Sequence, residues 1–423
     1  MTLKNLLPLS VIFLDIQLTK SSYETEIIAF FWYNSNMSIL TVSPFAEKKI
    51  KQGKQLLLAE DFPNIAENNQ LIYLYSQSKE FLGTGYLSSQ NKGIGWFLSP
   101  KKQKLTVTYF QGLFEKAKAK RQSYYDNDLT TAFRLFNQDG DDFGGLTIDL
   151  YGDYALFSWY NAFVYSLKDV IVEAFRTVFP EVLGGYEKIR FKGLDFESDH
   201  LFGQESGDTF TILENGVTYE VFLNDGLMTG IFLDQHEVRD GLVNGLALGK
   251  SVLNMFSYTA AFSVAAAMGG AVETTSVDLA KRSRELSTAH FEANGFSMEN
   301  HRLVVMDVFD YFKYAKKKGL SYDLIVIDPP SFARNKKRTF SANKDYHKLI
   351  AQSLDILSEH GTIIASTNAA NMTVQQFKKQ LRKGLGDVSA DFVNLQQLPA
   401  DFTVNPNDST SNYLKVYTIK VNK

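Results

Sequence analysis

Short apolar runs separated by turn-forming residues dominate the first hundred positions of the chain. The segments predicted to be strands are Glu26–Tyr33, Ser38–Val42, Gln55–Leu58, Leu71–Tyr75 and the glycine-punctuated Gly83–Phe97. Closely spaced strands with no convincing helix between them are typical of a small β-barrel. We therefore predict such a barrel over residues 1–103.

The pattern changes after residue 103, where helical and strand-like segments mix. Helices are predicted at Leu113–Tyr124, which is rich in Lys and Arg, and at the amphipathic Leu167–Phe179, which ends before Pro180. The predicted strands are Ala132–Asn137, Leu146–Trp159, Tyr186–Lys192 and Phe210–Phe222. This order, β-β-α-β-β, predicts an intermediate α+β domain over residues 104–216.

From residue 217 onwards, strands alternate with helices. The predicted strands are Val252–Asn254, Glu273–Asp278, Leu303–Met306, Leu324–Ile327 and Gly361–Ser366, and the predicted helices are Ala260–Met268, Leu279–Asn294 and Tyr346–Leu357. The alternation predicts a doubly wound, mainly parallel sheet, and its nearly continuous apolar strands fit burial on both faces. The fold class predicted for residues 217–423 is therefore α/β with a Rossmann-like sheet.

Composition excludes several kinds of chemistry. Hydrophobic residues make up 44% and charged residues 22% of the 423 residues, as in ordinary globular proteins. The absence of cysteine excludes disulfides, thiolate metal sites and a cysteine nucleophile. No histidine has metal-ligand spacing, so we predict no metal. The apolar segment Leu6–Ile16 contains Pro8 and Asp15 and is too short for a membrane helix, so we expect a buried strand and a cytoplasmic protein.

Polar residues follow four successive strands of the predicted parallel sheet, at the edge where such sheets bind ligands. The segments that contain them are Asn254-Met255-Phe256-Ser257, Asp278, Asp307-Val308 and Asp328. Asp278 follows Asn254 by 24 residues, which suits a hydrogen bond to ribose hydroxyls. The first turn has no glycine, which a pyrophosphate site would need. We therefore predict S-adenosylmethionine, with Asp307 near its adenine and residues 254–257 at its amino-acid end.

The segment Asp328-Pro329-Pro330-Ser331-Phe332 is the sharpest chemical signal in the sequence. Its two prolines fix the backbone and remove two N–H donors, so its carbonyl oxygens can accept other hydrogen bonds. The carboxylate of Asp328 and the adjacent carbonyl could hold an amine of a nucleobase, and Phe332 could stack on that base. The simpler alternatives are a tight turn here and helix N-caps at the strand-end aspartates.

Taken together, these residues resemble the RlmI/RlmK-like class of bacterial ribosomal RNA methyltransferases. The similarity begins near residue 35 and is carried by residues 133–153, by Thr229–Gln235 with Arg239, by the strand-end residues and by Tyr413–Lys415. It implies a PUA domain over residues 1–103, an intermediate domain over residues 104–216 and an S-adenosylmethionine domain over residues 217–423. It also implies that Gln235 and Arg239 line the cofactor pocket.

The chain departs from this family pattern at three places. His236 stands where the family usually has arginine, and Ala260-Ala261 replaces a pair of small residues that includes glycine. The first 35 residues do not match the usual opening of the PUA domain, so we expect an altered barrel.

The missing cysteine bears on which atom is methylated. Methylation of cytosine carbon 5 requires a nucleophile that adds to the ring, normally a cysteine thiolate. Some relatives carry this cysteine after the strand equivalent to Thr362–Ser366, where this chain has Thr367 and Asn368. A nitrogen needs only a lone pair aimed at the methyl group. The predicted catalytic residues are therefore Asp328, Pro329, Phe332 and Asn368.

Three functions stay open at this point. The favoured one is an RNA methyltransferase, acting on ribosomal RNA and on a guanine nitrogen. The second is a cytosine carbon methyltransferase that uses an unexpected nucleophile. The third is a protein that binds RNA or the ribosome on a methyltransferase scaffold without catalysis.

Two basic stretches are candidates for contacts with RNA phosphates. The net charge is −3, so RNA binding must come from local patches. The first patch comprises Arg334, Lys336, Lys337, Arg338 and Lys344, and the second extends from Lys101 to Arg121. A charge run is more often a solvated face, but a position beside a base pocket favours phosphate contacts. The expected partner is RNA, no membrane is expected, and a homodimer is left open.

Overall fold

The computed structural model describes residues 38–64, 68–281, 283–334 and 339–423. Its first sheet has five strands in the order β1-β3-β4-β5-β2. They are β1 Ser38–Thr41, β2 Leu56–Leu57, β3 Gln70–Tyr75, β4 Phe81–Leu87 and β5 Gly95–Ser99. The predicted strand Glu26–Tyr33 and the segment Leu6–Ile16 lie outside the described residues.

The expectation of no helix among these strands is wrong. Helix α1, Pro44–Lys51, begins behind Ser43, whose side chain accepts a hydrogen bond from the backbone N–H of Ala46. Proline is favoured in the first turn of a helix because its missing N–H would be unpaired there anyway. Ala46 and Ile50 are buried against the sheet, so a short helix with a serine cap supplies part of this core.

The intermediate part of the chain forms a second five-stranded sheet, in the order β10-β9-β8-β7-β6. Its strands are β6 Ala132–Asn137, β7 Leu146–Tyr151, β8 Tyr154–Trp159, β9 Gly184–Ile189 and β10 Ser198–Gly203. The helices of this region are α2 Val107–Lys120, α3 Gln122–Tyr125, α4 Ala162–Ser166 and α5 Lys168–Val178. The segment predicted as one strand at Leu146–Trp159 is a hairpin that turns at Gly152, where φ is +57°.

The last predicted strand of this region, Phe210–Phe222, is also a hairpin. Strands β11 Phe210–Glu214 and β12 Val217–Val221 pair with each other in a two-stranded sheet of their own. The turn is Asn215-Gly216, both with positive φ, and Asn-Gly is the residue pair most typical of a two-residue hairpin loop. The predicted boundary between residues 216 and 217 therefore falls inside one hairpin. We propose that the whole hairpin belongs to the C-terminal domain, because the hydroxyl of Tyr219 donates to the carbonyl of Ala261.

The C-terminal sheet has seven strands in the order β15-β14-β13-β16-β19-β21-β20. They are β13 Ser251–Met255, β14 Glu273–Asp278, β15 His301–Val305, β16 Tyr322–Ile327, β19 Leu357–Thr367, β20 Ser389–Gln396 and β21 Lys415–Asn422. In this order, the strands from β15 to β19 are parallel to one another, and β21 is antiparallel to both of its neighbours, β19 and β20. The prediction of a doubly wound, mainly parallel sheet is confirmed.

Helices and short connecting elements complete the C-terminal domain. The helices are α6 His236–Gly241, α7 Ala261–Met268, α8 Ser283–Ala293, α9 Val308–Lys318, α10 Ala342–Leu354 and α11 Val374–Leu385, and a small hairpin is formed by β17 Phe332–Arg334 and β18 Thr339–Ser341. Sequence reasoning missed α9 and α11. Both carried start signals, namely Asp307 as the cap of α9 and the reciprocal Thr373–Gln376 capping box of α11.

Buried polar contacts join the intermediate part of the chain to the C-terminal domain. Arg121 is fully buried and pairs with Asp141, and it also donates to the backbone carbonyl of Asp401. The carboxylate of Asp401 accepts from the backbone N–H of Arg134 and contacts His236. Arg121 therefore cannot contact RNA as part of the second basic stretch, because its guanidinium is committed inside the protein. No helix in the described part of the chain is long and apolar enough to cross a membrane.

Candidate cofactor and substrate site

A cavity of about 410 Å³ lies at the carboxyl ends of the parallel strands, beside β13, which lies between β14 and β16 in the sheet. This is the ligand-binding edge of a doubly wound sheet. The predicted site residues that line it are Gln235, Arg239, Phe256, Ser257, Asp278, Asp307, Val308, Asp328, Pro329, Arg334 and Asn368. The structure thus brings together residues that are up to 133 positions apart in the sequence.

Other predicted residues do not line this cavity. Met255 is fully buried in the core of the sheet, and Asn254 lies beside it with its amide donating to the hydroxyl of Ser263. Both belong to strand β13 itself, and only the loop after the strand reaches the cavity. Phe332 is 63% exposed and lies on the small hairpin, and Lys344 lies exposed on α10. Lys336, Lys337 and Arg338 lie outside the described residues.

The loop after β13 is held in an unusual conformation. Phe256, Tyr258 and Ala260 all have φ near +60°, in the left-handed region that favours glycine. The loop is fixed by neighbouring elements, since the carboxylate of Asp278 accepts from the backbone N–H of Tyr258. The hydroxyl of Thr259 also donates to the carbonyl of Gly230. Local strain of this kind persists only where the surroundings fix it, and it is common at binding sites.

Asp278 and Asp307 each accept hydrogen bonds from the backbone of the protein and also line the cavity. Asp278 also accepts from the N–H of Ala280, and Asp307 caps α9 by accepting from the N–H of Phe309. The simpler alternative of a helix cap is therefore correct for Asp307. It does not exclude the binding role, because a carboxylate has about four acceptor positions and both residues still line the cavity.

Gln235, Asp328 and Ser366 form a connected group, of which Gln235 and Asp328 line the cavity. The amide nitrogen of Gln235 lies 2.8 Å from the hydroxyl of Ser366 and 3.3 Å from the carboxylate of Asp328. The carbonyl oxygen of the Gln235 side chain is buried and has no hydrogen-bond partner among the described residues. Burial raises the pKa of Asp328 to about 6. The group thus offers a ligand one unused acceptor and one carboxylate that titrates just below neutral pH.

Arg239 is committed to a buried ion pair. Its guanidinium donates to both oxygens of Glu214, at 2.5 and 2.7 Å, and to the carbonyl of Phe232. Its neighbour His236 contacts Asp401 at 2.9 Å. Burial opposes charging of this histidine, but the bond to Asp401 outweighs it and raises the pKa of His236. Arg239 therefore lines the cavity as a side chain that its ion pair holds in place, and its charge is already paired with Glu214.

Three aromatic rings make one side of the cavity apolar. Phe340 lies 6.3 Å from Phe256 and 6.1 Å from Phe309, measured between ring centroids. Sequence reasoning missed Phe309, Phe340 and Asp234, although Asp234 stands in the segment that carried the family resemblance. Stacking surfaces of this kind suit an adenine ring, and the unused acceptor of Gln235 suits an ammonium group, so the residues present fit S-adenosylmethionine. Among the described residues, no cluster of acidic or histidine side chains has the arrangement of a metal site.

Comparison with known proteins agrees with this geometry. The family model of S-adenosylmethionine-dependent methyltransferases matches residues 190–414, and that of PUA-like domains matches residues 40–100. The Bacillus subtilis protein "Putative ribosomal RNA large subunit methyltransferase YwbD" is 42% identical over 91% of this chain and all of its own length. "Ribosomal RNA large subunit methyltransferase I" of Photobacterium profundum is 29% identical over 79% of this chain and 86% of its own.

A solved structure of similar length is closer in sequence. The crystal structure of SMU.776, described as "a putative methyltransferase complexed with SAH", is 66% identical to this chain, with a TM-score of 0.88. The alignment covers 91% of this chain and all of the solved chain. The expected cofactor, the Rossmann-like sheet and the PUA-like domain are thereby confirmed. This chain belongs to the S-adenosylmethionine-dependent methyltransferase family.

Proposed function

We propose that this protein methylates large-subunit ribosomal RNA in the cytoplasm, at a nitrogen of guanine. The observation that carries the proposal is that Asp328, Pro329 and Asn368 all line the cofactor cavity. These are the groups that can hold the N–H edge of a base beside the methyl donor. The names of the Bacillus and Photobacterium relatives support ribosomal RNA as the substrate class.

The cavity residues take distinct roles in binding the cofactor. Asp278 accepts the ribose hydroxyls, while Asp307 and Val308 face the adenine. The side-chain oxygen of Gln235 accepts a hydrogen bond from the ammonium group, Ser257 borders the same end, and Phe256 contributes to the aromatic side that faces the adenine. Asn254 and Met255 belong to β13 and support the loop that follows this strand. Arg239 holds its part of the cavity lining in place through its ion pair with Glu214. Arg334 and Lys344 are exposed and supply phosphate contacts.

The chemistry needs no covalent attachment to the protein. The cofactor supplies an electrophilic methyl group on a sulfonium sulfur, and the sulfur keeps the electron pair of the broken bond. The lone pair of the base nitrogen forms the new N–C bond, and the proton that the nitrogen loses passes to the carboxylate of Asp328 and then to water. Positioning of the two reactants supplies most of the acceleration in such a transfer.

Mass spectrometry of ribosomal RNA nucleosides tests the target. In a strain that lacks the gene, we expect one N-methylguanosine of large-subunit RNA to disappear and to return when the gene is restored. The physical reason is the missing thiolate, because a serine or threonine hydroxyl is a weak nucleophile at neutral pH. Loss of 5-methylcytidine would instead favour the second alternative, and an unchanged set of modifications would favour binding without catalysis.

Replacing Asp278 with alanine should weaken S-adenosylmethionine binding. A hydrogen bond to a charged group contributes about 1.5–3 kcal/mol, so we expect the Kd to rise roughly 10- to 150-fold by calorimetry. Asp323 is a matched control, because it too accepts a backbone N–H, from Ser251, but lies at the opposite edge of the sheet. Asp323→Ala should keep the wild-type affinity. An unchanged Kd in Asp278→Ala would contradict the assignment of Asp278 to the ribose.

A further inference from the structure

A second cavity, of about 380 Å³, adjoins the cofactor cavity at the junction of the three parts of the chain. Lys92 from the N-terminal part, Arg190 from the end of β9 and Tyr413 from the C-terminal domain all line it. The residues that line both cavities are Met228, Ile231, Phe232, Asp234 and Asn368. The two spaces are therefore neighbours that share part of their lining, and this shared lining includes Asn368 of the candidate catalytic group.

The second cavity holds polar groups that the fold leaves unused. The Nε of Arg190 and the hydroxyl of Thr147 are buried and have no hydrogen-bond partner among the described residues. Buried polar groups are nearly always paired in native proteins, so unpaired ones in a cavity wall are groups that a ligand or a water molecule there would pair. Arg134, by contrast, is committed to Asp149 and Asn137. The further positive charge of this cavity resides on Arg190, which donates to the carbonyl of Leu227 and keeps its Nε unpaired, and on the exposed Lys92, which lies over the ring of Tyr413.

The same cavity offers a base-recognition edge and aromatic surface. Asp234 belongs to the shared lining, and its carboxylate accepts from the hydroxyl of Tyr413 at 2.9 Å and keeps further acceptor positions. Tyr413 and the half-exposed Phe232 supply ring faces. Cationic groups, a hydroxyl, a carboxylate and aromatic rings in one cavity are the combination that a nucleotide requires, because it carries a phosphate, a ribose and a flat base.

We propose that this second cavity receives the target nucleotide, turned out of the RNA strand. Its phosphate lies against Arg190 and Lys92, its ribose contacts Thr147, and its base lies at Asp234 and Asn368, where the second cavity meets the cofactor cavity. This inference rests on the proposed function and adds to it the site where the substrate is held. Turning a base out into a pocket is the usual way in which an enzyme reaches an atom hidden in stacked RNA.

The experiment uses the full-length protein, tritiated S-adenosylmethionine and large-subunit ribosomal RNA from a strain that lacks the gene. We expect Arg190→Gln to lower kcat/KM roughly 10- to 150-fold, as for the loss of a charged hydrogen bond, and Thr147→Val to lower it roughly 2- to 10-fold. The Kd for S-adenosylmethionine should stay unchanged in both variants. Arg302→Gln is the matched control, since Arg302 is exposed at the amino end of β15, and it should keep the wild-type kcat/KM.

Salt dependence separates a phosphate contact from a structural role. Arg190 also donates to the carbonyl of Leu227, so its loss could disturb the loop that lines both cavities. A lost phosphate contact reduces the slope of the logarithm of RNA affinity against the logarithm of salt concentration by about one, whereas a disturbed loop leaves that slope unchanged. Thr147→Val keeps the shape of the side chain and tests the same cavity should Arg190→Gln prove unstable.

The possible failures are distinct. Wild-type kcat/KM in both variants, or an unchanged salt slope in Arg190→Gln, overturns the inference while leaving the proposed function intact. A wild-type protein that binds S-adenosylmethionine but methylates no RNA overturns the proposed function, and the nucleotide site with it.

Discussion

Replacing Arg239 with methionine is expected to lower the free energy of unfolding by about 3–5 kcal/mol. Both oxygens of Glu214 are held by this guanidinium, and both side chains are at most 2% exposed. Removing one partner leaves a buried charge without compensation, which is far more costly than the loss of the attraction itself. The wall of the cofactor cavity should loosen as well, so S-adenosylmethionine affinity should fall together with stability.

Urea unfolding of the wild type, the single variant and a double variant measures this effect. Arg239→Met combined with Glu214→Leu removes both charges, so it should recover much of the stability that the single change loses. Lys316→Met provides the exposed control, because Lys316 pairs with Asp355 at the surface, and its loss should cost about 0–1 kcal/mol. A single Arg239→Met variant no less stable than this control would show that the buried pair is not a stabilising element.

Local chemistry made the sheet and the strand-end residues predictable from sequence. Asp307 and Asp328 directly follow the short apolar runs Leu303–Met306 and Leu324–Ile327, and Asp278 is the last residue of the more polar strand β14. The parallel order then brings their side chains to one edge. The pair Asn215-Gly216 also indicates a hairpin turn from the sequence alone. The run Phe210–Phe222 was nevertheless predicted as one strand.

Long-range packing could not be predicted in the same way. Nothing near Arg121 in the sequence indicates that its partners are Asp141 and the carbonyl of Asp401, 280 positions away. The second cavity has the same origin, since it exists only where Lys92, Arg190 and Tyr413 meet. A pattern confined to one segment cannot contain this information, because such sites are defined by how the domains dock.

Asp328→Asn is expected to slow methyl transfer to RNA by about 10²- to 10⁴-fold, the usual contribution of a general base. Asparagine keeps the size of the side chain, and the backbone of the loop is fixed by Pro329 and Pro330, so the cavity should keep its shape. The Kd for S-adenosylmethionine should therefore change only a few-fold. Asp323→Asn, at the opposite edge of the sheet, should leave the transfer rate unchanged.

The pH profile gives this prediction a second, independent measurement. Burial raises the pKa of Asp328 to about 6, and a base must be deprotonated to accept a proton. The single-turnover rate of the wild type should therefore rise with pH up to about 6 and level off above it. In Asp328→Asn, that rise should vanish because the titrating group is gone. A variant that keeps both the wild-type rate and the wild-type profile would mean that the departing proton goes directly to water, and that Asp328 only holds the base in place.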